Sequence, residues 1–308
     1  MSSGPLRIGT RASILARWQA DWVAARLREH GQPIEIVLVS TRGDRDQSRS
    51  IGAIGGDGLF TKELQRSLLA EEIDLAVHSL KDLPTEPVAG LTIGAVPQRG
   101  PIGDVLVARD AKSFAELRQG AVIGTGSQRR RAQLLHARSD LVMRDVRGNV
   151  ETRLRKLRDG EYDALILAEA GLTRLGLAHE ITELLPPSLM LPAIGQGALG
   201  IECRADDART RAAIQPLDDV NTHCAVTAER ELLRALSGGC LAPVAAWGRI
   251  EPDGLLRLTA AVLSVDGRQR LFAEDTAAAE SAEELGQKVA ADLAAQGAAE
   301  LIRAARES

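Results

Sequence analysis

The chain has 308 residues, of which 38 are basic and 42 acidic, giving a formal net charge of −4. That balance argues against a generally polyanion-binding surface, and an aromatic content of 2% leaves few rings on which nucleic-acid bases could stack. Three cysteines without a Cys-x-x-Cys pair give neither a disulfide framework nor a thiolate zinc site, so no metal is expected. Residues Met1 to Ile8 hold no apolar leader stretch, and no apolar run approaches the roughly 20 residues of a membrane span. The expectation is a cytoplasmic protein with neither membrane nor nucleic acid as partner. With no clear hydrophobic patch for self-association, it is expected to be a monomer.

In chain order, Leu6–Thr10 reads as a strand, followed by a helix that Ser13 caps and Gly31 ends. Leu15, Trp18 and Trp22 recur there at helical spacing, so both tryptophans are expected in the core. Ile34–Val39 is a β-rich run. The Gly-, Ser- and Arg-rich stretch Ser40–Gly58 precedes a helix from Phe60 to Glu71 and a strand at Asp74–His78. A loop of that length reads as a solvated connection or as a flap over a site.

A second alternating run has strand candidates at Asp104–Ala108, Ala121–Gly124, Leu141–Arg144 and Asp163–Ala168, with helical segments between them. Alternation of this kind predicts βαβ units and mainly parallel sheets. Pro186, Pro187 and Pro192 interrupt it, and Ala198–Cys203 gives one more strand. A helix at Asn221–Leu236, three strands near Pro243–Ile250, Leu255–Val265 and Arg268–Asp275, and terminal helices then read as a small α+β domain. Pro252-Asp-Gly254 and Asp266-Gly267 supply its hairpin turns.

Positive charge is concentrated between Ser127 and Arg158, where ten basic residues face three acidic ones. This local charge of +7 leaves −11 on the rest of the chain. A solvated helix face accounts for Arg155 and Arg158. Arg153, in contrast, borders an apolar stripe of Val150, Leu154 and Leu157 near a helix N-terminus, where the dipole favours anions. Gly124-Thr-Gly-Ser-Gln-Arg-Arg130 follows a strand and opens a helix. It lacks the third glycine of a dinucleotide fingerprint and has Arg129 there, which would crowd helix against strand. An anion cradle of backbone N–H groups, hydroxyls and guanidinium forks suits it better, and implies a ligand with several negative groups.

His78-Ser-Leu-Lys-Asp-Leu-Pro84 stands at the end of a strand, where open α/β sheets face their ligands. Asp82 could move a proton or stabilise a nearby cation, and Lys81 could anchor a carboxylate, although a capped surface turn explains both equally well. His78 reads as a satisfied core histidine. Of the cysteines, Cys240 follows Ser237-Gly-Gly239 and is sterically open, whereas Cys203 lies in an apolar strand and Cys224 in a helix. Cys240 is therefore the candidate for covalent chemistry.

Seven segments in order resemble the hydroxymethylbilane synthase (porphobilinogen deaminase) family. They are Arg7-Ile-Gly-Thr-Arg-Ala-Ser13, Gly58-Leu-Phe-Thr-Lys-Glu-Leu64, His78-Ser-Leu-Lys-Asp82, Gly124-Thr-Gly-Ser-Gln-Arg-Arg130, Arg147-Gly-Asn-Val150, Leu191-Pro-Ala-Ile-Gly-Gln-Gly197 and Gly238-Gly-Cys240. The resemblance implies an α/β fold of two periplasmic-binding-protein-like doubly wound domains and a small C-terminal α+β domain. In this chain those domains would be 1–98 with 198–217, then 103–192, then 220–308 carrying the cofactor cysteine. Ala198–Cys203 would be the strand that returns to the first domain.

The same resemblance implies the chemistry. Cys240 would carry a dipyrromethane cofactor through a thioether, as a primer that is never released. Porphobilinogen would lose ammonia to give an azafulvene, which the terminal pyrrole attacks. Four rounds and hydrolysis would release hydroxymethylbilane, a precursor in porphyrin biosynthesis. Asp82 matches the catalytic aspartate. Ser79, Lys81, Thr125, Ser127, Arg129 and Arg130 would hold the cofactor's carboxylates. Arg11, Ser13, Phe60, Arg147, Arg153, Arg174 and Gln196 would contact substrate or the growing chain, with Phe60 as an aromatic lid residue. This chain departs from the family pattern at Ala53 and Asp57, where lysines are common, and at Pro101-Ile102-Gly103, where an Asp-Pro-Arg motif is expected. The residues alone also allow a non-enzymatic polycarboxylate binder with the glycine loop as its flap. A nucleic-acid reading of the arginine segment is disfavoured by the net charge and the scarce aromatics.

Overall fold

The computed structural model describes residues 4–39, 61–237 and 242–307. The glycine-rich flap segment, Phe60 and Cys240 lie outside the described residues. The chain opens with β1 (Leu6–Thr10), α1 (Ile14–Glu29), β2 (Ile34–Leu38), α2 (Lys62–Leu69), β3 (Leu75–Ser79) and β4 (Leu91–Ala95). It continues with β5 (Asp104–Ala108), β6 (Val122–Gly124), α3 (Gln128–Ala137), β7 (Val142–Arg144), α4 (Val150–Arg158), β8 (Ala164–Ala168), α5 (Glu169–Arg174) and β9 (Glu183–Leu185). It ends with β10 (Leu199–Arg204), α6 (Ala208–Ile214), α7 (Val220–Ala235), β11 (Val244–Ile250), β12 (Leu256–Leu263), β13 (Arg270–Ala277), α8 (Ala282–Ala295) and α9 (Ala298–Glu307). These elements fall into two compact units, Met1–Gly100 with Ala198–His223, and Pro101–Gly197 with Cys224–Ser308.

The first unit holds a sheet in the order β2-β1-β3-β10-β4. Its central strand β3 is apolar on both faces because helices cover both sides, so Leu75, Ala76 and Val77 are all buried. Asp74, just before β3, accepts from the Arg7 backbone N–H at 2.8 Å and from its guanidinium at 2.8 and 3.1 Å. Arg204 at the end of β10 reaches the same carboxylate at 3.4 Å, so one acid ties three strands together. On α1 the buried face is Gln19, Ala20, Val23, Ala24 and Leu27. The tryptophan expectation holds in part: Trp18 and Trp22 are only half-buried, yet Trp22 packs against the core of this unit, with the Arg26 guanidinium 5.3 Å from its ring.

The second unit contains a sheet in the order β7-β6-β8-β5-β9 and an antiparallel sheet, β11-β12-β13. The expectation of mainly parallel sheets holds in both five-stranded sheets, where four strands point one way and one is reversed. β10 runs antiparallel to β3 and β4, and β5 runs antiparallel to β8 and β9. Each sheet keeps a parallel trio (β2-β1-β3 and β7-β6-β8) built by βαβ crossovers, while β10 and β5 are inserted by chain that arrives from elsewhere. Hydrophobic alternation gives no strand direction, so this lay beyond the pattern. β4 and β9 were also unexpected; β9 is three residues long and includes Glu183.

The segments expected as separate domains, 103–192 and 220–308, share this second unit, apart from 220–223, which belong to the first. Helices α7, α8 and α9 cover one face of the C-terminal sheet through Leu232, Leu258, Val262, Leu285, Val289 and Leu293. Ala245, Ala261 and Leu263 from its other face pack with Ala132 of α3 and with Leu191. The β12–β13 turn closes the joint: Gly267 O lies 2.8 Å from His136 Nδ1 of α3. Gly267 has φ +74°, and a Cβ there would stand 2.5 Å from His136 N and 2.8 Å from Ala132 O. Backbone cannot yield cheaply, so Gly267→Ala is expected to cost about 1–3 kcal/mol in urea denaturation, by strain and overpacking together.

Candidate functional site

Nearly all the charged candidates stand just beyond the C-terminal ends of parallel strands, where doubly wound sheets bind ligands. In the first unit, Arg11 and Ser13 follow β1, and Ser79, Lys81 and Asp82 end or follow β3. Ser13 caps α1 by accepting from Ala16 N–H at 3.4 Å. Ser79 Oγ accepts from the buried Gln19 Nε2 at 2.7 Å, so its hydroxyl is aimed by α1. A single 3₁₀ turn, Leu80–Asp82, follows; its entry is fixed by the bond from Leu80 N–H to Ala198 O at 3.1 Å on the returning strand. That turn leaves Lys81 half-buried and Asp82 exposed. His78 is the satisfied core histidine expected: its Nε2 lies 3.0 Å from Glu202 Oε2, and Gln65 Nε2 donates to the other oxygen at 2.9 Å.

In the second unit, Thr125, Ser127, Arg129 and Arg130 follow β6, Arg147 and Arg153 follow β7, and Arg174 ends the helix after β8. Ser127 caps α3, and its Oγ accepts from Arg130 N–H at 3.4 Å. The buried Thr125 Oγ1 accepts from Ser127 N–H at 3.2 Å. Arg147 is exposed, Arg153 Nε donates to Gly148 O at 2.8 Å, and Arg174 Nη2 donates to Gly197 O at 2.6 Å. Asn149 caps α4, and Leu154 and Leu157 bury its stripe as the sequence implied.

Arg129 and Arg130 are buried, at 4% and 7% exposure, and converge on Asp104, which is fully buried. Asp104 Oδ1 accepts from Arg130 Nε at 3.0 Å and Nη2 at 2.7 Å. Arg129 Nη1 lies 2.8 Å from Oδ2, an ion pair poorly aligned for a hydrogen bond. It also donates to Leu191 O at 2.5 Å, while Arg130 Nη1 donates to Ile166 O at 3.0 Å. Burial would raise the Asp104 carboxyl, but the charges of Arg129 and Arg130 outweigh it and hold the group well below the usual carboxylate range. Burial lowers the Arg129 guanidinium against the pull of Asp104.

The feared crowding at Arg129 does not occur. Arg129 points into this ion cluster, and the tight packing falls instead on Gly124, where a Cβ would meet Leu165 at 2.5 Å and Tyr162 at 2.8 Å. Gln196 is 1% exposed, and its Nε2 donates to Ile102 O at 2.8 Å, Gly103 O at 3.2 Å and Asp104 Oδ1 at 3.1 Å. It holds the wall of the site from within. Asp104, Gln19 and Gln133 were missed as site residues. Asp104 alone had a sequence signal, an acid opening an apolar strand below an arginine-rich turn.

Two buried guanidiniums against one carboxylate leave an excess positive charge, flanked by hydroxyls at a strand end. That donor set suits a ligand bearing carboxylates, and the residues present fit such a group. Among the described residues, no three His, Cys, Asp or Glu side chains gather as metal ligands, and no helix is long and apolar enough to cross a membrane. Cys203 is buried, and burial pushes its thiol up to about 11.

The fold is that of an α/β protein with basic and hydroxyl side chains gathered at its strand ends. Residues 6–212 match the family model described as "Porphobilinogen deaminase, dipyromethane cofactor binding domain", and residues 223–295 match "Porphobilinogen deaminase, C-terminal domain". A porphobilinogen deaminase from Desulforudis audaxviator (strain MP104C) is 50% identical over 301 residues, 97% of each chain. One from Geobacter metallireducens (strain ATCC 53774 / DSM 7210 / GS-15) is 47% identical over 304 residues, 98% of this chain and 95% of the relative. Among solved structures, an ABC-transporter periplasmic substrate-binding protein from Coxiella burnetii is similar at TM-score 0.43 and 15% identity, over 69% of this chain and 91% of that one. The chain belongs to the porphobilinogen deaminase family.

Because the folded pKa of Asp104 lies below its unfolded value, its contribution to stability is full above about pH 4 and is lost as pH falls toward the folded pKa. Asp104→Asn is expected to cost about 3–5 kcal/mol at neutral pH, since two buried cations lose their counter-ion. Urea titrations of both proteins should show the gap narrowing below about pH 4.

Proposed function

We propose that the protein is a hydroxymethylbilane synthase, a transferase that condenses four porphobilinogen units with loss of ammonia and releases the linear tetrapyrrole. We read it as a cytoplasmic monomer of three domains, 1–98 with 198–217, 103–192 and 220–308. The observation that carries the reading is the buried arginine pair with a single acid between them, in a chain of this family. Acetate and propionate side chains on every pyrrole explain a strongly basic segment in a protein of net charge −4.

The dipyrromethane group, bound through Cys240, would supply the nucleophilic pyrrole carbon at which the product grows. Arg129 and Arg130 would hold its carboxylates, with Lys81, Ser79, Thr125 and Ser127 completing the donors. Their pre-fixed positions spare the ligand the cost of ordering flexible side chains. Arg11, Ser13, Arg147, Arg153 and Arg174 would take the carboxylates of incoming substrate, and Phe60 would stack over its ring. Gln196 would serve the same site from behind, through Asp104.

Asp82 is the catalytic residue in this reading. Its carboxylate would accept a hydrogen bond from the substrate pyrrole N–H and stabilise the positive charge that develops as ammonia leaves. It would afterwards accept the proton that the ring carbon loses on restoring aromaticity. Its exposure supports access to substrate, and the Leu80–Asp82 turn supports a fixed place for it. Cys240 is favoured over Cys203, whose thiol is buried and held protonated.

Intact mass spectrometry of the purified full chain tests this directly. The expected result is a dipyrromethane adduct that survives Cys203→Ser and disappears in Cys240→Ala. A bare polypeptide mass in every variant would overturn the reading. Asp82→Ala should keep the adduct while losing at least about 10²-fold in tetrapyrrole formation from porphobilinogen, followed by absorbance after oxidation.

A further inference from the structure

We propose that Glu229 is a positioning residue for the arginine pair, acting through Gly195, Gln196 and Asp104. The proposal rests on the reading of Arg129 and Arg130 as the groups that hold the ligand's carboxylates. Glu229 lies on α7, fully buried, and belongs to no motif. Its Oε2 accepts from Gly195 N–H at 2.7 Å and its Oε1 from Gly248 N–H at 2.8 Å. The second bond is possible because β11 lies against α7 so closely that a Cβ on Gly248 would stand 2.6 Å from Ala225 O.

Gly195 adopts φ +68°, a left-handed conformation, so the loop takes a shape that needs holding. The next two residues are held as well. The Gln196 amide bonds Asp104 Oδ1 and the carbonyls of Ile102 and Gly103, and Gly197 O receives Arg174. Gln196 and Arg130 share the same Asp104 oxygen. Moving Gly195 therefore moves the amide that orients the carboxylate, and the carboxylate orients both guanidiniums. Replacing one Glu229 oxygen by an amide sets N–H against N–H at Gly195 or Gly248 without removing bulk. A packing role alone would survive that change; a relay of hydrogen bonds would not.

The test follows solvent exchange of the Arg130 Nε–H by nuclear magnetic resonance in the full chain. In the wild type this proton is buried and bonded to Asp104 at 3.0 Å, so slow exchange is expected. Glu229→Gln and Gln196→Leu should each accelerate it by about tenfold or more, as local protection is lost. The double variant should be no faster than the faster single, because both act on one relay. Exchange within about twofold of wild type in Gln196→Leu, or multiplied effects in the double variant, overturns the proposal. Should Glu229→Gln fail to fold, Glu229→Asp, whose shorter side chain withdraws the carboxylate from Gly195 N–H, is read in its place, and exchange within about twofold of wild type there overturns the proposal. In a functional assay, Glu229→Gln should lower the fraction of chains carrying the dipyrromethane adduct by about twofold or more in intact mass spectrometry, with KM for porphobilinogen nearly unchanged in the loaded enzyme; full loading with a raised KM overturns positioning through the arginine pair. A wild-type chain that forms no tetrapyrrole, with exchange still accelerated in the variants, would remove the functional reading and leave the relay standing.

Discussion

Asp104 is fully buried between two guanidiniums, and much of the second unit is organised by the need to keep those charges paired. A carboxylate or guanidinium taken out of water costs several kcal/mol, which only close partners and further hydrogen bonds can offset. Ile166 O, Leu191 O and the Gln196 amide supply those bonds. They come from β8 and from the Leu191–Gly197 loop, so the ion cluster fixes both, with the start of α3, relative to β5. The pairing is also incomplete by design of its numbers: two cations share one anion, and the excess charge favours a carboxylate ligand.

The Leu191–Gly197 loop is the strut on which this arrangement leans. Gln133 grips it in both directions, donating to Leu191 O at 3.1 Å and accepting from Leu191 N–H at 2.9 Å. Ala246 N–H then bonds Pro192 O at 3.1 Å, which carries the constraint into the C-terminal sheet. A segment punctuated by proline and glycine would otherwise be mobile. Its backbone groups are bound instead to side chains that are themselves buried, so it transmits position well.

The proposed binding and proton-handling groups differ in environment. The guanidiniums that hold charge are buried, rigid and fully committed to one geometry. Asp82 stands exposed at the tip of a short turn, on a strand whose own charges are settled: His78 bonds Glu202 and Asp74 bonds Arg7. Structural ionic groups are thus kept inside, and the carboxylate assigned to chemistry remains where substrate can reach it.

Sequence alone made much of this legible. Ser13 announces its helix because capping is local chemistry between residues three apart. The Ser127–Arg158 charge density and the motif order point to carboxylate ligands without any coordinates. Local pattern fell short where partners are distant. Trp18 and Trp22 have core spacing, yet both stay half-buried because the helix turns Gln19, Ala20, Val23, Ala24 and Leu27 inward. The reversed directions of β5 and β10, the burial of Gln196 and the link from Glu229 to Gly195 depend on which segments meet, and hydrophobic periodicity does not record that. What the sequence determined by itself was the set of charges and the places where elements begin. Tertiary structure alone decided which charges neutralise one another, because pairing Asp104 with Arg129 and Arg130 requires an antiparallel strand to bring its first residue beneath a turn some 25 residues further on.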